Sequence, residues 1–110
     1  MSNQSKVLVV IPARGGSKQL PRKNILEIAG KPLIGYTIEL ALKLKSLFHR
    51  IVVSTDDLEI AEVSKSFGAE VPFLRKKELS LDTTPMVPVL KDAVQFIENQ
   101  DNLNIDWVLL

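Results

Sequence analysis

Four cations and no acid crowd one stretch of the chain, Ile11-Pro12-Ala13-Arg14-Gly15-Gly16-Ser17-Lys18-Gln19-Leu20-Pro21-Arg22-Lys23-Asn24. They are Arg14, Lys18, Arg22 and Lys23, in a chain whose formal net charge is only +1. These residue types suit the binding of a polyphosphate. Arginine offers a planar fork to two phosphate oxygens, and lysine acts as a compact point charge. Adjacent Gly15 and Gly16 give the backbone positive-φ freedom and close approach, so that N–H groups at Gly15, Gly16 and Ser17 point toward an anion. Walker loops run glycine, four residues, then Gly-Lys-Ser/Thr. The order Arg-Gly-Gly-Ser-Lys, flanked by Pro12 and Pro21, departs from that and disfavours a kinase or ATPase loop. A plain strand-to-loop turn with solvated cations is the bland alternative. It leaves unexplained why the cations cluster directly after an apolar run.

Other candidate groups are sparser. Ser54-Thr55-Asp56-Asp57 reads first as a set of helix caps, with Glu59 suited to the positive end of the helix. His49 reads as a surface or helix-end residue. The absence of cysteine excludes disulfides, thiolate metal sites and a cysteine nucleophile, and a single histidine excludes a multi-histidine metal site. A net charge of +1 argues against a general nucleic-acid binder. No apolar run approaches the roughly 20 residues of a membrane span. The polar residues 1–6 are too short for a signal peptide, so a cytoplasmic protein is the default expectation.

The elements that must position these groups follow a simple alternation. At 110 residues the chain forms one domain at most. Lys6–Ile11 reads as a strand covered on both faces. The basic loop runs to about Asn24, and 25–30 is a short extended or turn segment. A helix is predicted from Pro32 to Lys45, its apolar face made by Leu33, Tyr36, Ile38, Leu40, Ala41, Leu44 and Leu47, with Glu39 and Lys43 paired on the other side. Arg50–Ser54 is a strand, and Leu58–Phe67 a helix burying Ile60, Val63 and Phe67 and ended by Gly68. Glu70–Phe73 is a short edge strand, because Pro72 removes a ladder donor. After an irregular stretch, a helix is expected with Thr84 as N-cap and Pro85 first, running to about Glu98 on a face of Met86, Val87, Leu90, Val94 and Ile97. Pro88 fits only in its first turn, which pushes the start later. Residues 99–104 are a polar loop. Asp106–Leu110 begins another buried strand, with Trp107 in the core. This order predicts right-handed crossovers and an α/β fold, a parallel Rossmann-like sheet with helices on both faces. Four strands make only part of such a sheet, so the expectation is a domain incomplete at its carboxyl end.

The basic stretch also resembles the signature of the acylneuraminate cytidylyltransferases, nucleotidyltransferases also called CMP-sialic acid synthetases. The resemblance continues through Ala29-Gly30-Lys31-Pro32-Leu33-Ile34, Val52-Val53-Ser54-Thr55-Asp56-Asp57, Ile60-Ala61 and Gly68-Ala69-Glu70-Val71-Pro72-Phe73-Leu74-Arg75. It covers nearly the whole chain from Lys6. It implies transfer of CMP from CTP to a nine-carbon 2-keto sugar acid of the acylneuraminate type, with release of pyrophosphate. Arg14 and Lys18 would stabilise charge in that transfer. The nucleotide would be bound by Ala13, Arg14, Gly15, Gly16, Ser17, Lys18, Lys23, Asn24, Arg75 and Thr84, with Arg75 at the cytosine. Pro85-Met86 stands where family members often carry small or hydroxyl residues, which leaves Thr84 to act through its backbone. The resemblance further implies that residues 1–110 are the amino-terminal, nucleotide-binding part of one cytidylyltransferase domain. Mg²⁺ would then be held by ligands outside this chain, and the full-length protein would be a homodimer. The competing readings are a 3-deoxy-octulosonate cytidylyltransferase relative and a non-catalytic nucleotide-binding or interaction module.

Overall fold

The computed structural model describes residues 5–15, 27–81 and 84–110. Its sheet is built on β1 (Val7–Pro12), with β4 (Arg50–Ser54) on one side and β5 (Trp107–Leu109) on the other. Both pairings are parallel: Leu8 lies beside Arg50 and Val7 beside Trp107. Beyond β4 a single parallel bridge joins Val52 to Glu70. The predicted strand over Glu70–Phe73 is thus reduced to one bridging residue ahead of Pro72, in keeping with its expected edge position.

Alternation along the strands divides the core into two layers. Val9, Ile11, Ile51 and Val53 pack against Ile34 and Ile38 of α1 (Leu33–Lys43) and Ile60 of α2 (Leu58–Ser66). Leu8, Val10 and Val52 pack against Ala93 and Ile97 of α3 (Met86–Asp101). Helices therefore cover both faces, which is why the strands read as unbroken apolar runs. The chain winds outward from β1 through α1, β4 and α2, then returns across the sheet through α3 to β5. The direction of winding reverses at β1, and folds of this kind bind ligands outside the carboxyl ends of the strands at such a reversal.

Several local expectations are corrected. Glu27–Ile28 (β2) and Lys31–Pro32 (β3) form an antiparallel hairpin, turned by Ala29 and Gly30 at φ of 54° and 82°. Pro32 therefore caps α1 rather than beginning it. The helix ends at Lys43, and a 3-10 turn covers Lys45–Leu47. Its buried face is Ile34, Gly35 and Ile38, whereas Leu33, Tyr36, Leu40, Leu44 and Leu47 are exposed. Counting every leucine as core placed the face too broadly around the helix. Glu39 pairs with Lys31 of the hairpin instead of Lys43. In α3 the buried positions are Val89, Ala93 and Ile97, and Met86 and Val87 face solvent. The helix starts at Met86 with Pro88 in its first turn, and runs to Asp101 before Asn102 adopts a left-handed conformation. Trp107 is 66% exposed, because β5 is an edge with no described strand beyond it. The α2 span matches closely, with Ile60 buried, Val63 and Phe67 packed against the core, and Gly68 at φ of 100°.

Candidate active site

The carboxyl end of β4 organises the candidate site. Ser54 and Thr55 are fully buried there, and their backbone and hydroxyl oxygens hold the segments on either side. The Ser54 carbonyl accepts the Ala13 N–H at 2.9 Å, which extends the β1–β4 pairing one residue into the basic loop. The same carbonyl accepts Arg75 Nη2 at 2.7 Å, and Ser54 Oγ accepts Arg75 Nε at 3.1 Å. The Thr55 carbonyl accepts the Arg75 N–H at 2.7 Å. One buried oxygen thus joins the loop expected to meet phosphate to the arginine expected to meet the base.

Arg75 is 7% exposed, not the surface residue that its charged neighbours in sequence suggest. Its Nη1 donates to the Leu79 carbonyl at 3.3 Å, on the 3-10 turn Lys77–Leu79. Burial lowers its pKa; Asp56 opposes that, Arg14 adds to it and Asp92 opposes it. An arginine still stays protonated under those influences. Arg14, Asp56 and Arg75 therefore share one electrostatic neighbourhood. Thr84 closes the same turn. Its Oγ1 accepts the Leu81 N–H at 3.1 Å and donates to the Glu78 carbonyl at 3.2 Å. Thr84 therefore does not cap α3, which begins without a side-chain cap.

In the basic loop, Ala13 is buried, Arg14 half-buried and Gly15 buried. Gly15 N–H donates to Asp56 Oδ1 at 2.9 Å. Gly15 is absent from the positive-φ residues, so what it supplies is close approach. A Cβ there would stand 2.6 Å from Asp57 Oδ2 and 2.9 Å from Asp57 Cβ. Asp57 caps α2, accepting the Ile60 N–H at 3.0 Å through Oδ1. Of the two adjacent aspartates only Asp57 caps; Asp56 holds the loop, a role the capping assignment missed. Two carboxylates where one cap suffices were the available signal.

The structure thus brings Ala13, Arg14 and Gly15 together with Arg75, and links Thr84 to them through the turn after Arg75. Gly16, Ser17, Lys18, Lys23 and Asn24 lie outside the described residues, as does Arg22. Among the described residues no group of three His, Cys, Asp or Glu side chains stands ready to hold a metal ion. The described residues therefore do not by themselves make up a metal site. Nor is any described helix long and apolar enough to cross a membrane.

A family model described as cytidylyltransferase matches residues 8–105. Pseudaminic acid cytidylyltransferase of Campylobacter jejuni is 47% identical over 98 residues, covering 89% of this chain and 42% of that protein. CMP-N,N'-diacetyllegionaminic acid synthase of Legionella pneumophila is 47% identical over 105 residues, covering 96% of this chain and 44% of that protein. Among solved structures, a CMP:2-keto-3-deoxy-manno-octonic acid synthetase complexed with CTP superposes with a TM-score of 0.72 at 32% identity. That match covers 86% of this chain and 36% of the other. The chain spans less than half the length of these relatives.

Proposed function

Since the chain belongs to the cytidylyltransferase family, we propose that it forms the amino-terminal, CTP-binding part of an enzyme transferring CMP to a nine-carbon 2-keto sugar acid and releasing pyrophosphate. The observation that carries this reading is the shared Ser54 carbonyl, which holds Ala13 and Arg75 on one oxygen. That junction sets a cationic loop and a buried guanidinium side by side at the carboxyl end of a parallel sheet, where such folds place nucleotides. The two relatives at 47% identity, named for pseudaminic and legionaminic acid, support the nine-carbon acceptor over 3-deoxy-octulosonate.

In this reading the acceptor hydroxyl attacks the α-phosphorus of CTP, the bond to the bridging oxygen breaks, and pyrophosphate leaves. Charge grows on the leaving oxygens, and the protein's contribution is positioning and charge stabilisation. Arg14 and Lys18 face that charge. The Gly16 and Ser17 N–H groups and Lys23 cradle the phosphates, Asn24 meets the nucleotide's sugar or base side, and Arg75 and the Thr84 backbone form the base side of the pocket. Losing one such cation costs on the order of 3 kcal/mol of transition-state stabilisation, about a hundredfold in rate. Mg²⁺ accompanies the triphosphate on ligands outside this chain. The whole enzyme acts in the cytoplasm as a homodimer.

Calorimetry of the 110-residue chain with CTP and Mg²⁺, against ATP and GTP, tests this. CTP-selective binding, weakened at least about tenfold in Arg14→Ala by the loss of a charge-assisted contact, is expected. Equal binding of all three nucleotides, or unchanged CTP binding in Arg14→Ala, overturns it.

A further inference from the structure

A carboxylate beside a loop meant to bind an anion is an electrostatic anomaly. Asp56 is exposed, follows β4 directly, and shares its neighbourhood with two cations from different parts of the chain, Arg14 and Arg75. Its negative charge repels the phosphates that those cations attract. Helix capping does not account for it, because Asp57 performs the capping of α2. What Asp56 does make is a contact spanning 41 residues: its Oδ1 accepts the Gly15 N–H at 2.9 Å.

That hydrogen bond fixes the backbone immediately after Arg14. The Ala13 N–H is already held by the Ser54 carbonyl on the preceding side. Arg14 therefore stands between two pinned amides, one held by the β4 strand and the other by Asp56. Gly15 N–H is committed to protein, so it is not among the amides that point toward an anion, contrary to the expectation from sequence.

We propose that Asp56 is a positioning residue of the nucleotide site: by holding the Gly15 N–H it sets where Arg14 presents its guanidinium. The proposal rests on the CTP-binding reading above. It accepts some repulsion of the bound anion in exchange for a loop already shaped before the ligand arrives, and preorganisation of that kind reduces what binding must spend on ordering.

Two substitutions separate the hydrogen bond from the charge. Asp56→Asn keeps an acceptor oxygen in place and removes the charge. Asp56→Ala removes both. The first readout is amide exchange at Gly15 in the ligand-free 110-residue chain, followed by NMR, with the Ala61 amide of α2 as an internal reference. Gly15 exchange is expected to stay within about threefold of the parent in Asp56→Asn and to rise at least about tenfold in Asp56→Ala, with Ala61 unchanged in both. The second readout is calorimetric binding of CTP and of CMP, each with Mg²⁺. Asp56→Ala should weaken CTP about tenfold and CMP much less, since the tether serves the triphosphate side. Asp56→Asn should bind CTP within about threefold of the parent, since the amide oxygen keeps the Gly15 tether. Unchanged Gly15 exchange in Asp56→Ala overturns the proposal, as does parental CTP affinity in that variant or an equal loss for CMP. A parent chain that binds no CTP overturns the nucleotide reading itself and is distinguishable from these results.

Discussion

Replacing Gly15 by alanine tests how closely the basic loop and the start of α2 are fitted. The added Cβ would stand 2.6 Å from Asp57 Oδ2, 2.9 Å from its Cβ and 3.1 Å from its Cγ. The carboxylate can swing aside, but it also caps α2 through Ile60. The Asp57 Cβ cannot move without the backbone. Overpacking of this kind costs about 2 kcal/mol, and losing the cap adds about 1 kcal/mol. Alanine restricts the unfolded chain and returns about 0.7 kcal/mol. The net is a loss of about 2 kcal/mol. At roughly 2 cal/mol/K of unfolding entropy per residue, that lowers Tm by about 9 °C in a chain of this length. Thermal unfolding followed by circular dichroism measures it. Asp57→Gly supplies the control, since glycine at an N-cap costs only a few tenths of a kcal/mol. In that background the clash is gone and Gly15→Ala should stabilise by about 0.7 kcal/mol, which makes the pair a double-mutant cycle. A Gly15→Ala chain that melts at or above the parent temperature, or an undiminished loss in the Asp57→Gly background, refutes the reasoning.

Three further outcomes are expected. Ser54→Ala removes the hydroxyl that accepts Arg75 Nε; a buried hydrogen bond to a charged group left unmade should cost about 2 kcal/mol, read by urea unfolding, and a loss below about 0.5 kcal/mol argues against it. At the opposite end of the sheet, the Asp101 carboxyl is held below the usual carboxylate range chiefly by its hydrogen bond with His49, with burial opposing and Arg50 adding. Its stabilising contribution is therefore full above about pH 4 and is lost as pH falls through the folded-state value; Asp101→Asn should flatten the acid limb of the stability profile, and an unchanged limb sinks the idea. Ile38→Ala should cost about 3 kcal/mol and Leu40→Ala under about 0.5 kcal/mol, since Ile38 is fully buried and Leu40 is 64% exposed; comparable losses in urea unfolding contradict the assignment of the α1 face.

The sheet was readable because strands buried on both faces leave apolar runs, and 7–11 and 51–53 are such runs. The basic loop was readable because its charge stands out against a nearly neutral chain. Helix faces were harder. Periodicity in α1 admits two apolar stripes, and only packing against β1 and β4 selects Ile34 and Ile38 over Leu40 and Leu44. Trp107 looked like core because aromatic residues usually are, but burial of a strand depends on neighbours that its own sequence does not encode. Asp56 was hidden behind Asp57: both suit a cap locally, and only the long-range placement of Gly15 separates their roles. The burial of Arg75 was equally illegible, since its acceptors lie 21 residues away on Ser54.

The register of β1 also has a consequence for synthesis. Its partner on one side, β4, lies 42 residues downstream at the Leu8–Arg50 pair, and its partner on the other, β5, lies 100 residues downstream at Val7–Trp107. Closing the longer loop costs only about 0.8 kcal/mol more, so the equilibrium structure barely registers the difference. A ribosome does register it. At 5–20 residues per second, the β1–β4 pair, with Ala13 on the Ser54 carbonyl, can assemble seconds before β5 emerges. During that interval one flank of β1 is a naked ladder of amides and carbonyls. The β1–β4 junction is thus built first, and the strand that covers the other flank of β1 follows it.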